Sequence, residues 1–190
     1  MVRTARFTED DFIEAAMSLV AEGGPTAATM QAIARRTGAP TGSIYHRFDS
    51  RSAILGAAWN SAYASFTGAL APLLHQRQAR EAALAILPWA EANPRRAAFL
   101  LLHDPVSLFE DSPPPPTQRQ ALDRLETAFD AAFRACIAPA TDDETLARAR
   151  FLIFDGPIAI LRPSLSRALP PPPHAARLIA DLHAGMPVAA

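Results

Sequence analysis

The polar side chains of residues 41–47 are the ones whose types and spacing suggest chemistry. The stretch reads TGSIYHR and combines hydroxyl, phenol, imidazole and guanidinium groups with one glycine. Serine and threonine hydroxyls hydrogen-bond to base edges or phosphates, whereas tyrosine and arginine suit phosphates. A glycine among them lets the backbone come close to a partner. This combination is typical of a surface that contacts a nucleic acid.

A short helix running from Pro40 or Thr41 to Phe48 would present these groups on one side. At about 100° per residue, Ile44 and Phe48 point the same way, and we expect both to face the core. Pro40 is compatible with the helix start because a first-turn proline loses no helix hydrogen bond. The residues that then point outward or lie on the flanks are Thr41, Gly42, Ser43, Tyr45, His46 and Arg47.

Two earlier helices are predicted to position this one. Thr8 is the expected N-cap of the first, which a Gly-Gly-Pro stretch at 23–25 ends. Thr29 is the expected N-cap of the second, and Gly38 stops it in the usual C-terminal position. Two short helices joined by a tight glycine turn, after a longer supporting helix, predict a tri-helical helix-turn-helix.

Charge supports a local rather than a general attraction to nucleic acid. The chain has 190 residues and a formal net charge of -1. Residues 29–51, however, contain four arginines against a single acid, Asp49. Lysine is absent from the whole chain, so its arginine usage reflects base composition and weakens arguments from any one arginine. The near-neutral total disfavours a nonspecific architectural DNA protein, whose affinity depends mostly on neutralising phosphates.

Residues 8–55 resemble the DNA-binding domain of the TetR/AcrR family of bacterial transcriptional regulators. The resemblance rests on the stretch TMQAIARRTGAPTGSIYHRFDSRSAIL. Its matching positions are Thr29, Ile33, Ala34, Gly38, Ile44, Tyr45, Phe48, Arg51, Ile54 and Leu55.

The resemblance implies roles for individual positions. Thr29 and Gln31 sit where family members contact the DNA backbone and sometimes a base. Tyr45 sits at a phosphate contact, and Arg51 stands where the family has a phosphate-contacting lysine. Pro40 departs from the family's usual Ser or Thr cap, which shifts the expected helix start by up to one residue. The predicted DNA-contacting set is Thr29, Gln31, Thr41, Gly42, Ser43, Tyr45, His46, Arg47 and Arg51.

The long segment after this domain is interpreted as buried helix. Residues 52–74 carry no charge and are long enough to span a bilayer, but they are rich in small and hydroxyl residues and include Asn60 and Pro72. We therefore predict a buried helix and no membrane span. The single cysteine, Cys136, cannot form an internal disulfide, which fits a reducing compartment and predicts a cytoplasmic protein. It falls on the buried stripe of an amphipathic helix over residues 117–138.

Prolines and apolar runs organise the C-terminal half. Pro88 predicts a kink or break in a helix, and prolines 113–116 predict a non-helical connector. Residues 151–161 are apolar nearly all round, which indicates that a partner subunit covers them. The resemblance implies a homodimer through the last two helices, at about 144–162 and 174–185. Residues 156–157 are expected to kink the first of these. Ala176, Ile179, Ala180 and His183 form one side of the second.

The predicted fold is all-α, with about nine helices. A three-helix DNA-binding domain at 1–51 precedes a larger helical domain for ligand binding and dimerisation at 52–190. The resemblance implies that this domain senses a small molecule, and its aromatic composition permits an apolar pocket. The candidate ligand-contacting residues are Phe66, Trp89, Phe99, His103, Phe109, Phe129, Phe133 and Phe154.

Enzyme signatures are missing from the sequence. It has no glycine-rich phosphate loop, no paired cysteines, no HExxH and no GxSxG, and its five histidines are scattered. We therefore predict neither catalysis nor a bound cofactor or metal. The favoured interpretation is a ligand-responsive regulator, by family default a repressor, that binds a near-palindromic operator and is released by an apolar or amphipathic effector. The alternative is a ligand-binding or scaffold protein that keeps the fold without binding an operator.

Overall fold

The chain folds into helices packed side by side. The computed structural model describes residues 7–139 and 142–185, and none of these forms a β-strand. The helices are α1 (Glu9–Gly23), α2 (Met30–Thr37), α3 (Thr41–Tyr45), α4 (Arg51–His75), α5 (Ala79–Ala92), α6 (Pro94–Leu102), α7 (Pro105–Leu108), α8 (Pro116–Ile137), α9 (Asp143–Arg150), α10 (Gly156–Leu165) and α11 (Ala175–Gly185). A π segment (Phe151–Asp155) joins α9 to α10, and a 3-10 turn (Pro25–Ala27) precedes α2. The all-α prediction is confirmed. The segments α9, π and α10 follow one another without a gap and count as one continuous helix. The described residues then form ten helices, where about nine were expected.

Side-chain caps fix where the first helices begin. The Thr8 hydroxyl accepts a hydrogen bond from the Asp11 amide at 3.2 Å, and the Asp11 carboxylate accepts one from the Thr8 amide at 2.7 Å. The hydrogen bond that the Thr8 amide donates to the Asp11 carboxylate, followed by one from the Thr8 hydroxyl at 2.9 Å, lowers the pKa of Asp11. The Thr29 hydroxyl caps α2 by accepting from the Ala32 amide at 3.1 Å. Gly38 ends α2 in the left-handed conformation, with φ 71°. The predicted start of α1 and both predicted ends of α2 are therefore confirmed.

Helix α3 is shorter than predicted. It ends at Tyr45 rather than Phe48, and a turn follows it. The Ser43 amide donates to the Pro40 carbonyl at 2.8 Å, which supports the first turn without a side-chain cap. The Phe48 amide still donates to the Ile44 carbonyl at 2.9 Å, so the chain keeps a helical path beyond the helix end. Ile44 and Phe48 are both buried, as predicted.

Helix α4 connects the N-terminal helices with the rest of the molecule. Ser50 caps it by accepting from the Ala53 amide at 3.1 Å. The helix contacts α1 as well as α5, α6 and α8, so both parts of the chain share its apolar surface. Within the described residues, no helix combines the length and hydrophobicity needed to cross a bilayer.

Three features predicted for the C-terminal helices can be compared with the structure. A kink or break was predicted at Pro88, and no break occurs: α5 continues through the proline, which lies on the exposed side. Pro116 is the first residue of α8 rather than part of the connector, because a proline at that position costs no helix hydrogen bond. Ala176 is exposed, and the buried stripe of α11 runs through Ala175 and Ile179 instead.

The π segment takes the place of the irregularity predicted at residues 156–157. In π geometry the Leu152 carbonyl would accept from the amide of residue 157, but that residue is Pro157 and has no N–H. The ring of His183 on α11 lies 3.1 Å from this carbonyl through Nε2. The imidazole therefore satisfies the acceptor that the proline leaves open, and this bond ties α11 to the π segment.

Candidate functional site

One side of α3 faces away from the protein. Ile44 is fully buried on the inner side, whereas Thr41, Gly42 and His46 are exposed. Tyr45 is 54% exposed, an unusually high value for an aromatic side chain. Ser43 is half-buried. The outward placement predicted for this helix is confirmed, and its polar groups are available to an external partner.

The start of α2 lies beside α3 and is also exposed. Thr29 and Gln31 are both on the surface, and α2 packs against α3. The Thr29 oxygen is occupied as a cap acceptor, but its hydroxyl hydrogen is free to be donated to a phosphate. Exposed main-chain N–H groups at a helix start attract anions. Residues from two helices thus form one polar surface, which we call the α2–α3 face.

Arg47 is directed back into the protein. Its Nη1 donates to the Ser43 carbonyl at 3.0 Å, and its Nη2 donates to the Phe7 carbonyl at 2.6 Å. The guanidinium carbon also lies 5.8 Å from the centre of the Phe12 ring, within cation–π range. Arg47 therefore stabilises the fold around α1 and α3 and is only half-exposed.

The Arg51 guanidinium contacts two main-chain carbonyls and one carboxylate. Its Nε donates to the Ala28 carbonyl at 3.1 Å and its Nη2 to the Pro25 carbonyl at 2.6 Å. Its Nη1 lies 3.5 Å from the carboxylate of Asp111, in the loop between α7 and α8. Arg51 thus joins the turn before α2 to a distant loop. Sequence reasoning missed this role because its acceptors are main-chain carbonyls, which no sequence motif marks.

The remaining arginines of this region add less positive potential than their number suggests. Arg36 donates to the Glu22 carboxylate, with Nη1 and Oε1 2.8 Å apart. This bond raises the pKa of Arg36 and lowers that of Glu22. Arg35 is exposed on the surface of α2. The α2–α3 face is therefore polar and hydrogen-bonding rather than strongly basic.

A second feature is a cavity of about 330 Å³ among α4, α8, the end of α9, the π segment and α10. Its lining residues are Tyr63, Phe66, Glu126, Phe129, Asp130, Phe133, Arg150, Phe154, Asp155 and Ile158. We call this the aromatic cavity. Phe129 is its central ring, with centroid distances of 6.2 Å to Phe66 and 5.4 Å to Phe154. The structure therefore brings together four of the predicted ligand-contacting residues.

The other four predicted ligand-contacting residues do not line this cavity. Trp89 packs edge-on against Phe66 at 5.0 Å and donates through Nε1 to the Ser65 hydroxyl. Phe99 is fully buried in the core, and Phe109 is half-buried against that core. His103 is half-buried at the C-terminal end of α6, and this burial lowers its pKa.

Asp155 was expected from the sequence as a polar group of an apolar pocket, whereas Tyr63, Glu126, Asp130 and Arg150 were missed. Glu126 lies three residues before Phe129 and Asp130 lies three residues before Phe133 on the same helix, so helical spacing alone could have found them. Burial, followed by the negative charge of Glu126, raises the pKa of Tyr63 to about 12. Its phenol therefore stays neutral and able to donate a hydrogen bond at neutral pH.

A larger cavity of about 640 Å³ lies where α1 meets the C-terminal helices. Its walls include Ala21, Arg95 and Leu169, and none of the predicted ligand-contacting residues. No cluster of three potential metal ligands occurs among residues 7–139 and 142–185.

Comparison with known proteins finds a family model that matches the N-terminal helices. Residues 12–58 match the model of bacterial regulatory proteins of the tetR family. This match covers most of α1, all of α2 and α3, and the start of α4. None of the curated proteins matches the chain.

Solved structures of similar fold extend over nearly the whole chain. The TetR-family regulator PfmR from Thermus thermophilus has a TM-score of 0.66 at 19% identity, over 94% of this chain and 96% of that one. The fatty acid degradation regulator FadR from Bacillus halodurans has a TM-score of 0.64 at 14% identity, over 93% and 96%. A transcriptional regulator from Rhodococcus sp. Rha1 has a TM-score of 0.62 at 18% identity, over 94% and 97%. At these identities the likeness establishes the fold.

Proposed function

We propose that the chain, whose residues 12–58 match the model of bacterial regulatory proteins of the tetR family, is a ligand-responsive transcriptional regulator. In this proposal residues 1–51 bind a near-palindromic DNA operator, and residues 52–190 bind an effector and dimerise. Repression, released by the effector, is the expected mode of action.

The outward side of α3 is the observation that carries this proposal. Burial of Ile44 fixes the orientation of α3 while Thr41, Gly42 and His46 stay exposed. A helix presented in this way fits the width of the DNA major groove. In the proposed complex, His46 and Gln31 read bases, and Thr29 and Tyr45 contact phosphates. Arg47 and Arg51 act mainly by positioning α3 and α2, and Arg51 reaches a phosphate with the hydrogens that its carbonyl contacts leave free.

A homodimer would supply the second half of the DNA contact. Two recognition helices related by a two-fold axis enter successive major grooves about 34–36 Å apart, or a multiple of that distance. Apolar side chains exposed on the predicted dimer helices support this assembly. Phe151 is 43% exposed and Leu178 is 37% exposed, values that a covering partner would reduce.

The aromatic cavity is the proposed effector site. Effector binding would favour a conformer whose recognition helices are wrongly spaced, so that operator affinity falls by the same coupling free energy. Helix α8 lines the cavity at Phe129 and packs closely on α4 near its own start. There the Asn60 side chain donates to the Gln118 carbonyl at 2.9 Å. A shift of α8 would therefore move α4, which holds the DNA-binding helices.

A scaffold or ligand-binding protein without operator binding is the second candidate. The observation that favours it is the internal use of Arg47 and Arg51, which reduces the positive charge free to meet phosphates. The two candidates differ in one measurable property, sequence-selective DNA binding.

Selection of bound sequences from a random DNA pool tests the proposal. The intact protein should enrich a near-palindrome at physiological salt. His46→Ala should change the base preference at one position in each half-site, whereas His75→Ala should leave it unchanged, because that exposed histidine lies at the far end of α4. Failure to enrich any sequence would contradict operator binding and favour the scaffold.

A further inference from the structure

We propose that the aromatic cavity binds an organic cation: a quaternary or protonated amine that carries an apolar, preferably aromatic, body. This inference rests on the proposed effector site and names the chemistry of its ligand. Two independent features of the cavity carry it, namely the rings of its walls and the charges of its lining.

The walls are built from aromatic rings on three elements. Tyr63 and Phe66 come from α4, Phe129 and Phe133 from α8, and Phe154 from the π segment. The centroids of Phe133 and Phe154 lie 5.6 Å apart, and those of Tyr63 and Phe129 lie 6.2 Å apart. Aromatic ring faces carry partial negative charge and attract cations, above all quaternary ammonium groups that several rings surround.

The charged lining residues add to this attraction. Glu126, Asp130 and Asp155 contribute three carboxylates to the lining, and Arg150 contributes a single guanidinium. Asp130 also pairs with Arg134, which lies outside the cavity, at 2.7 Å. Among the described residues, no ion pair involves Glu126 or Asp155. Two carboxylates therefore remain free to compensate a bound cation.

The pKa of the Tyr63 phenol is consistent with a negative electrostatic potential in the cavity. After burial, the negative charges of Glu126 and Asp130 raise its pKa, and they outnumber the opposing charge of Arg150. An anion entering the cavity would face this negative field, whereas a cation would be stabilised by it. The cavity volume of about 330 Å³ suits a ligand with one ring and a compact charged group.

Three probes of similar size and different charge test the inference. Benzyltrimethylammonium is the cation, benzyl methyl sulfone the neutral compound and benzylsulfonate the anion. Isothermal titration of the full chain without DNA should show the cation binding at least about tenfold more tightly than the anion, with the neutral probe between them. Equal affinities, tighter binding of the anion, or no heat with any probe would overturn the inference.

Charge variants then locate the site. Glu126→Gln should weaken binding of the cation about threefold and leave the neutral probe unaffected. Asp123→Asn removes the same charge from an exposed position of the same helix outside the cavity, and it should change neither affinity. Arg150→Gln should act in the opposite direction and tighten binding of the cation. Because one variant gains affinity, a general loss of folding cannot imitate the pattern. Equal effects of Glu126→Gln and Asp123→Asn would contradict the assignment.

Operator release separates this inference from the proposed function. If the cation binds and also dissociates the selected operator in an anisotropy assay, both stand. If the protein binds its operator but none of the probes, the proposed ligand class is wrong and the proposed regulatory function stands. If the cation binds with the predicted charge dependence but no operator is selected, the ligand class stands and the regulator is wrong.

Discussion

The α2–α3 face and the aromatic cavity are assembled in opposite ways. The face takes its polar groups from two neighbouring short helices, and one buried residue, Ile44, orients half of it. The cavity takes its walls from elements as far apart in the chain as Tyr63 and Ile158. The first surface is therefore encoded locally, whereas the second exists only after the long helices have packed.

The two regions also use charge differently. Near the α2–α3 face, Arg36, Arg47 and Arg51 are all engaged by groups of the protein itself. Around the cavity, Glu126 and Asp155 line open space and take part in no ion pair among the described residues. Charges counted in the sequence thus overstate the basic character of one region and miss the acidic character of the other.

The largest effect is expected from a substitution of Ile44, the buried residue that orients α3 in the α2–α3 face. Ile44→Ala removes a fully buried side chain and should lower the free energy of unfolding by about 3 kcal/mol, because it leaves a cavity under α3. Operator affinity should fall with it. Urea denaturation and DNA anisotropy measure the two changes. Val106→Ala, at an 83% exposed site outside the DNA-binding and dimer surfaces, is the control and should cost far less. A stable Ile44→Ala variant with full operator affinity would show that α3 is oriented by something else.

Two glycines of α4 test the packing of the long helices that form the aromatic cavity. A Cβ at Gly56 would clash with Oε1 of Gln118 on α8 and would lie 2.8 Å from Cβ of Pro114 in the loop before it, so Gly56→Ala should push the start of α8 away and cost about 1–2 kcal/mol. Gly68 has open space around it on the same helix, so Gly68→Ala should stabilise by about 0.5–1 kcal/mol.

Thermal unfolding of both glycine variants measures the difference. If α8 transmits the effector signal through this contact, Gly56→Ala should also weaken operator release by the ligand, while Gly68→Ala leaves release unchanged. Equal shifts in the two variants would contradict a tight α4–α8 contact.

The smallest effect concerns the bond between α11 and the π segment. Burial lowers the pKa of His183, despite the opposing hydrogen bond to Leu152. Because the folded state binds this proton less well than the unfolded state, its contribution to stability is full above pH 6.5 and falls on acidification through the lowered pKa. His183→Gln keeps a donor and should flatten this part of the pH profile, whereas His183→Ala should lose about 1 kcal/mol at pH 7.5. Denaturation midpoints between pH 7.5 and about 5 measure both. A His183→Gln profile identical to the parent profile would exclude this histidine as the cause.

Most of the N-terminal region could be predicted from the sequence. Thr8, Thr29 and Gly38 act through bonds to residues at most four positions away or through their own φ angle, so the chain shows the signal directly. The inward direction of Ile44 follows from helical spacing. The length of α3 did not follow, because the turn after Tyr45 buries Phe48 without continuing the helix.

The cavity could be predicted only in part. Phe129, Phe133 and Phe154 were singled out because they are aromatic, yet the same criterion selected Phe99, which fills the core. Composition cannot separate a ring that lines a space from one that fills it, since the difference depends on what the other helices bring. The contacts of Arg51 were equally inaccessible, because their acceptors are carbonyls 23 and 26 residues away.

Arg51 offers one positive charge to two kinds of anion. Any phosphate of a bound duplex that approaches this guanidinium competes with the Asp111 carboxylate, 60 residues further along the chain. Binding of the duplex would then weaken the ion pair between Arg51 and Asp111. Added salt would weaken the same ion pair even without DNA. A spectroscopic label beside residue 111 would therefore sense, at long range, whether the duplex is bound.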